Sequence, residues 1–507
     1  MIRLFITLLV SIAFATSAQA RTWHRADTYH FTIYSDGKAK QLGEFATELE
    51  RLDALLRKQW RRDPVENPNK LTVYLLKDAD AVADLMGSEG RSIAGFYRAR
   101  SEGSIMVANR KTSSHRGALT GKQVLFHEYG HHFFFQNFRI PAAAWFVEGF
   151  ADYVSTAKFK DDGHWELGRA NGSSQLMMAY GGKWDIRELL SQTPFEQGGT
   201  RWRYFYGWSW GLTHMLYSRE HGRGAKITRY LGLINDGKDS LEAAEEAFGD
   251  LDQLKQDLRA YVVKPTVYQK STEPLPFREQ ISIRELSESE ANTVRLTLDR
   301  LTVRDRQDLL AEMREHVVKS GATAEAWFQL AEMEFTLAHS DKAENPYDFT
   351  AAVEALDKAL ALDPAHPHAN VLKGRIILEK YDHGDDPDAV DWDLARKYFR
   401  TAKEAAPGDP WPIYNIATSY RRRGESNSTV SPLLEQAFRV APESNEYRLA
   451  YAYDLAEQKR FDEAINILKI ITNNPHGRGD GTKVVIEQIE EMRQAAIADG
   501  DKPGASD

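Results

Sequence analysis

The sequence predicts an α+β domain followed by an all-α repeat domain, on three observations. Between Tyr29 and Val263 short β-rich runs alternate with helical runs; three prolines then break the pattern in the stretch Lys264–Phe277; beyond it, amphipathic helices end in turn at Pro364, Pro407, Pro442 and Pro475. A chain of 507 residues suits two or three domains. With 42% hydrophobic and 27% charged residues it has the composition of a globular protein rather than a disordered one. The net charge of -9 gives no reason to expect a nucleic-acid partner, and the basic triplet Arg421–Arg423 reads as helix surface. Cysteine is absent, which excludes disulfides, thiolate metal sites, a cysteine nucleophile and a lipidated cysteine. Any metal must therefore be held by His, Asp or Glu.

The first twenty residues form a separate unit. Arg3 precedes an apolar run from Leu4 to Ala15, and Ala18-Gln19-Ala20 is a small-x-small cleavage site. The run is short for a bilayer core about 30 Å thick. Residues 1–20 are thus expected to be a signal peptide, and the mature chain to be exported, periplasmic or secreted, with no transmembrane segment.

In the domain expected over residues 21–263, YHFTIYS alternates as a strand, AKQLGEFATELERLDALLRKQW has helical spacing, and KLTVYLL and GSIMVAN are further β-rich runs. A helix is expected from about residue 119 to 138, stopped by Pro141, and another from about 143 to 158. RYFYGWSWGLTHMLYSRE and SLEAAEEAFGDLDQLKQDLRAYV read as helical. Residues 264–282 read as a linker.

Over residues 283–498 the Pro-terminated helices recur at intervals of 43, 35 and 33 residues. Each has a partner helix with a small residue, Ala331, Gly374, Ala417 or Ala450, where two helices must approach closely. Loop insertions near AHSDKAENPYDF and YDHGDDPDAVDW account for the longer intervals. This pattern resembles the tetratricopeptide repeat, whose period is about 34 residues. The resemblance implies a solenoid with a concave surface for a protein partner. Residues 283–320 read as one more degenerate helix pair, TKVVIEQIEEMRQAAI as a capping helix, and residues 499–507 as a disordered tail.

The chemistry concentrates in LFHEYGHHFF, residues 125–134. On a helix, His127 and His131 are four residues and about 40° apart, so both imidazoles can converge on one zinc at about 2.0–2.1 Å. Glu128 lies beside them, within reach of a metal-bound water, where a carboxylate can take the proton and pass it to a leaving amine. His132 points about 100° away from His131 and is not a ligand on this geometry. A third histidine six residues beyond His131 is ruled out, because Asn137 stands there and Phe134 takes the place of the intervening glycine. Glu148, in AWFVEGFADYV, lies 17 positions after His131, and a helix hairpin turning at RIPAA brings it beside the pair. Two histidines and a glutamate with an open fourth position form a catalytic zinc set, one ion per chain. Asp152, one turn beyond Glu148, is placed to accept the free ring N–H of a ligand histidine. The remaining histidines of this domain, His24, His30, His115, His164 and His221, read as surface or loop residues.

His127-Glu128-Tyr129-Gly130-His131 followed by Trp145-Phe146-Val147-Glu148-Gly149-Phe150-Ala151-Asp152-Tyr153 is similar to the gluzincin metallopeptidases of the peptidase MA-like kind. The resemblance covers roughly residues 29–263. It implies a thermolysin-like α+β catalytic domain, zinc ligands His127, His131 and Glu148, and Glu128 as general base and acid. It further implies that the strand before the motif helix, GSIMVAN, is a sheet edge that pairs with extended substrate. Tyr206 matches a tyrosine that stabilises the oxyanion in related domains, with Tyr204 and His214 as rivals. The chain lacks a Gly-x-Met-Glu-Asn motif for a substrate's free amino terminus, so endopeptidase activity is expected over aminopeptidase activity. The competing expectation is a repeat-based cell-envelope scaffold with a vestigial or tightly restricted peptidase domain.

Overall fold

The computed structural model describes residues 22–87, 93–111, 120–172, 174–175, 178, 184–192, 202–218, 223–302, 306–319, 321–340, 345–382, 390–472 and 480–498. The expected signal peptide, the C-terminal tail, His115 and His221, and parts of both proposed loop insertions lie outside these residues.

A six-stranded mixed sheet forms the frame of the N-terminal domain. Its strands are β1 (His24–Asp27), β2 (Phe31–Ser35), β3 (Leu71–Leu76), β4 (Gly95–Arg98), β5 (Ile105–Asn109) and a late strand, Ser282–Glu285. Their order across the sheet is β4-β5-β3-β2-β1 and then the late strand. β2, β3 and β5 run parallel, while β4 pairs antiparallel with β5 in the register Tyr97↔Met106. On one face lie α1 (Ala39–Trp60), α3 (Gly121–Asn137) and α4 (Ala144–Val154); the short α2 (Ala79–Leu85) packs beside β5. A second sheet joins β6 (Lys158–Phe159), β7 (Trp165–Leu167) and β8 (Gln269–Lys270); the late strand is accordingly β9. Helices α5 (Ile186–Ser191), α6 (Trp202–Tyr217), α7 (Gly224–Asn235), α8 (Ser240–Phe248) and α9 (Leu251–Val262) complete the domain.

Several sequence expectations change here. GSIMVAN is not a sheet edge: β5 lies between β3 and β4, all five of its residues are buried, and the edge is β4. GFYR at β4 is half-buried throughout and shows no alternation, so its sequence carries no strand signal. Residues 264–282 are not a free linker, because β8 extends the small sheet and β9 begins at Ser282 and pairs with β1. All four β9 residues are exposed, which removes the two-residue hydrophobic period. The helical run after Ser240 splits at Gly249, whose φ of 86° suits glycine, and Asp250 caps the next helix by accepting from the Asp252 and Gln253 N–H groups. α4 ends at Val154 rather than near residue 158. His30 is no free surface residue, since its Nδ1 lies 2.8 Å from Glu50 Oε2 on α1.

The helical domain comprises the pair α10 (Glu288–Leu301) and α11 (Arg306–Val318), then α12 (Ala324–Ala338) with α13 (Thr350–Leu362), α14 (Pro367–Asp382) with α15 (Trp392–Ala405), α16 (Trp411–Arg422) with α17 (Asn427–Val440), and α18 (Asn445–Glu457) with α19 (Phe461–Thr472). α20 (Asp480–Ala498) closes the array. Gly374 allows one of the close approaches: a Cβ there would sit 2.9 Å from the Ala395 carbonyl oxygen and 2.5 Å from the Phe399 ring. None of the helices among the described residues is long and apolar enough to cross a membrane.

The two domains are closely joined. Leu286, Val294 and Leu298, on or just before α10, pack with Tyr74, Ile105 and Val107 on the sheet face opposite α3. Ile470 of α19 enters the core of the N-terminal domain, and Gly408 lies so near Asn67 that a Cβ would meet the Asn67 carbonyl oxygen at 2.7 Å. At the same interface Glu443 is 4% exposed and accepts a hydrogen bond of 3.3 Å from Ser104 Oγ. Burial pushes its carboxyl up to about 7, against its own backbone N–H, the Ser104 hydroxyl and the charge of Arg448, which all favour the ionised form. The folded state therefore keeps a proton that the unfolded state loses, and stability falls as pH rises from the usual carboxyl range towards 7. Glu443→Gln is expected to be more stable than wild type at pH 8 by about 1–3 kcal/mol, with the difference gone near pH 4. Denaturant unfolding at both pH values measures it.

Candidate metal centre

α3 begins with a capping box: Thr120 accepts from the Gln123 N–H, and the Gln123 side chain accepts from the Thr120 N–H. The helix is tied to α1 by Tyr129, whose hydroxyl donates to Asp53 Oδ1 at 2.6 Å, and Asp53 in turn holds Arg57 at 2.7 Å. This support lies on the face opposite the motif pair. Phe134, Phe146 and Phe150 pack the α3–α4 turn: Phe134 meets the other two edge-on at ring distances of 6.0 and 5.4 Å, and Phe146 and Phe150 are tilted at 6.4 Å.

Two glycines inside the motifs set how closely the helices approach. A Cβ on Gly130 would lie 2.9 Å from Ala151 Cα, so α3 and α4 nearly touch one residue before His131. A Cβ on Gly149 would lie 2.4 Å from the Ser209 carbonyl oxygen and 2.2 Å from Thr213 Oγ1, which brings α6 equally close to α4. With both positions reduced to hydrogen, three helices converge on one buried point.

His127, His131 and Glu148 meet there. His127 Nε2 and His131 Nε2 are 3.1 Å apart, and Glu148 Oε2 lies 3.4 Å from the first and 3.5 Å from the second. Ligand atoms bound tetrahedrally at about 2.0–2.1 Å stand about 3.3–3.4 Å from one another, so the three atoms are spaced as such a set requires. All three residues are buried and form the group that can hold a metal ion among the described residues.

Asp152 completes the arrangement. Its Oδ1 lies 2.9 Å from His127 Nδ1, and its Oδ2 accepts from Ser174 Oγ at 3.2 Å. A neutral His127 that donates from Nδ1 keeps the Nε2 lone pair for a metal. Burial opposes a charge on His127, but the Asp152 and Glu148 carboxylates outweigh it and hold its pKa well above the usual value. That same excess of negative charge favours a divalent cation. Glu128 is half-buried on the adjoining helix position, and its charge reaches both His127 and Tyr206.

Of the three candidates for a hydrogen-bond donor, Tyr206 is the one in ring contact with a member of this group. Its ring centroid is 6.3 Å from that of His127, and burial followed by the carboxylates of Glu148, Glu128 and Asp152 raises its pKa well above the ordinary tyrosine value. The phenol is thus neutral and able to donate. His214 is engaged elsewhere: its Nδ1 lies 2.6 Å from Tyr261 Oη and its Nε2 2.7 Å from the Gly168 carbonyl. It lines a separate cavity of about 560 Å³ with Tyr153, Trp165 and Tyr217. Tyr204 packs against the hydrophobic core. His132 is not part of the group; its Nδ1 lies 3.1 Å from Tyr97 Oη on β4, and burial takes its pKa down to about 3.

Sequence reasoning missed Ser174 and Tyr97. Ser174 stands in a stretch with no motif spacing, and Tyr97 matters only because β4 is brought alongside α3.

The tetratricopeptide repeat family profile matches residues 348–410, which span α13 to α15, and the chain carries these repeats in its helical domain. No curated protein sequence matches the chain. Among solved structures it is similar to TTC0263, a thermophilic repeat protein of Thermus thermophilus, at 18% identity over 40% of this chain and 99% of that one, with a TM-score of 0.34. PilF of Pseudomonas aeruginosa is similar at 15% identity over 42% of this chain and 88% of that one, with a TM-score of 0.31. MamA of Desulfovibrio magneticus gives 16% identity over 40% and 97%, with a TM-score of 0.26.

Asp152→Asn would leave the fold intact and remove the carboxylate that sets the His127 tautomer. Divalent-metal affinity is expected to fall about 10–100-fold, as is usual when a ligand's orienting partner is lost. Titration of the metal-free protein with zinc or cobalt(II) measures it.

Proposed function

We propose that the N-terminal domain is a zinc-dependent peptidase of the gluzincin kind and that the repeat domain brings it to a protein substrate or partner. The observation that carries the first half is the spacing of His127 Nε2, His131 Nε2 and Glu148 Oε2, at 3.1, 3.4 and 3.5 Å, with Glu128 and Tyr206 beside them. The second half rests on the repeats, which are partner-binding modules.

A zinc ion held by His127, His131 and Glu148 would lower the pKa of its bound water and polarise a carbonyl. This chain's own groups do the rest. Glu128 takes the proton of the attacking water and delivers it to the leaving amine. Tyr206 donates its hydroxyl hydrogen towards the oxygen on which charge develops. Asp152 fixes the orientation of His127. Edge strand β4 lies along α3, with Tyr97 against His132, and carries a strand on one side only among the described residues. Its outer backbone groups suit an extended peptide laid across the site. The absence of a Gly-x-Met-Glu-Asn motif favours internal cleavage. Arg3, the apolar run Leu4–Ala15 and Ala18-Gln19-Ala20 support export to the periplasm or the exterior.

The second reading is a repeat-based cell-envelope scaffold or adaptor with a vestigial or tightly restricted peptidase domain. The family match at residues 348–410 favours it, because that match concerns the partner-binding half alone.

Glu128→Gln is expected to retain about one zinc per chain and to lose peptide hydrolysis by a factor of at least about a hundred, the usual weight of a general base. Equal turnover in wild type and variant, measured on peptides trapped by the variant, would leave the scaffold reading standing. Tyr206→Phe is expected to lower kcat about a hundredfold with KM little changed, as loss of one donor to a developing oxyanion does. Steady-state kinetics on the same peptide separates the two constants.

A further inference from the structure

The loop that joins β4 to β5, residues 99–104, is embraced by the repeat domain. Tyr447 on α18 is 1% exposed, and its hydroxyl donates to the Ser101 carbonyl at 2.5 Å. Ser104, 2% exposed, donates from Oγ to Glu443 Oε1 at 3.3 Å. Arg98, the last residue of β4, donates from Nη1 to the Leu301 carbonyl at the end of α10, at 2.9 Å. Arg139, just past α3, lies 5.5 Å from the Phe438 ring centroid. Arg375 on α14 has its guanidinium 5.1 and 5.5 Å from the rings of Phe335 and Trp411, and its charge reaches Glu102. Burial opposes ionisation of Glu102, but Arg100, its own backbone N–H and, more weakly, Arg375 and Arg300 outweigh it and hold the carboxyl below its usual range.

The loop's two hydrogen bonds to the repeat domain go to α18 and the turn before it, the strand end beside it is tied to α10 through Arg98, and the charge of Arg375 on α14 acts on Glu102. Arg375 and Tyr447 both sit on the leading helices of their pairs, α14 and α18. A short polar loop that offers a backbone carbonyl, a hydroxyl and a carboxylate to that surface has the chemistry of a bound peptide. Its two ends are the strands nearest the metal group: β4 holds His132 through Tyr97, and β5 leads into α3, where Gly121 is so close to Asn109 that a Cβ would meet its carbonyl oxygen at 2.1 Å.

We propose that residues 99–104 are an internal ligand of the repeat array, and that Tyr447 acts through them as a positioning residue for edge strand β4. The consequence for substrate rests on the peptidase reading above; the clamping itself does not. The repeat domain then sets the height and angle of the strand on which a peptide is laid, about one hairpin length from its own contacts, and leaves the metal ligands untouched.

Hydrogen exchange on the full-length, zinc-loaded protein tests the clamp. Tyr447→Phe removes one hydroxyl and keeps the ring; Ser104→Ala removes the hairpin's own donor, so the proposal does not depend on one variant folding. Both are expected to speed amide exchange over residues 95–104 about tenfold, the weight of one lost hydrogen bond, at unchanged zinc content. With a peptide substrate, KM is expected to rise at least threefold at unchanged kcat. Wild-type exchange over 95–104 in both variants, or faster exchange confined to the repeat helices, overturns the clamp. Faster exchange with KM unchanged, or with kcat reduced alone, overturns the positioning role. If Glu128→Gln shows that the chain cleaves no peptide, the peptidase reading falls, and the exchange rates still decide whether the hairpin is clamped.

Discussion

The near-contact of α3 with α4 is the constraint on which the rest of the N-terminal domain depends. A helix can present two imidazoles four residues apart by its own geometry, but a third ligand from another helix needs the two axes close enough for a short carboxylate to reach. Gly130 against Ala151 provides that approach, and Gly149 against Ser209 and Thr213 brings α6 in with it. Everything behind this point is arranged to hold it: the Thr120 cap, the Tyr129–Asp53–Arg57 chain to α1, and the phenylalanine cluster under the hairpin turn.

Such a group is costly to bury without a compensating charge. Glu148 is 0% exposed and Asp152 4% exposed, and their charges converge on two imidazoles. Buried charges persist when they are paired or coordinate a metal. The raised pKa of His127 expresses the same imbalance. A cation at this point relieves it, and the orientation of His127 by Asp152, itself bonded to Ser174, keeps the nitrogen lone pair aimed inwards. The proposed division of labour among Glu128, Tyr206 and the three ligands follows from this charge balance as much as from distance.

The repeat domain is not an appendage on a flexible tether. β9 extends the main sheet and α10 covers its second face, so the chain enters the repeats while still building the first domain. Later repeats return to it through Ile470, Gly408 and the hairpin 99–104.

By itself the sequence determined those features that depend on local spacing. The four-residue spacing of His127 and His131, that of Glu148 and Asp152 on the next helix, and the period of the Pro-terminated helices are all readable because a helix converts sequence intervals into angles. The tertiary structure alone decided which strand is the edge, since β5 is buried along its whole length and β4 has no period, and strand order depends on long-range pairing. It decided that residues 264–285 contribute two strands, because β8 is only two residues long and β9 is exposed throughout, so neither shows the alternation that would reveal it. It also set Tyr206 apart from His214: both lie on α6, eight residues apart, and only the packing of that helix against α4 turns one towards His127 and the other towards Tyr261 and Gly168.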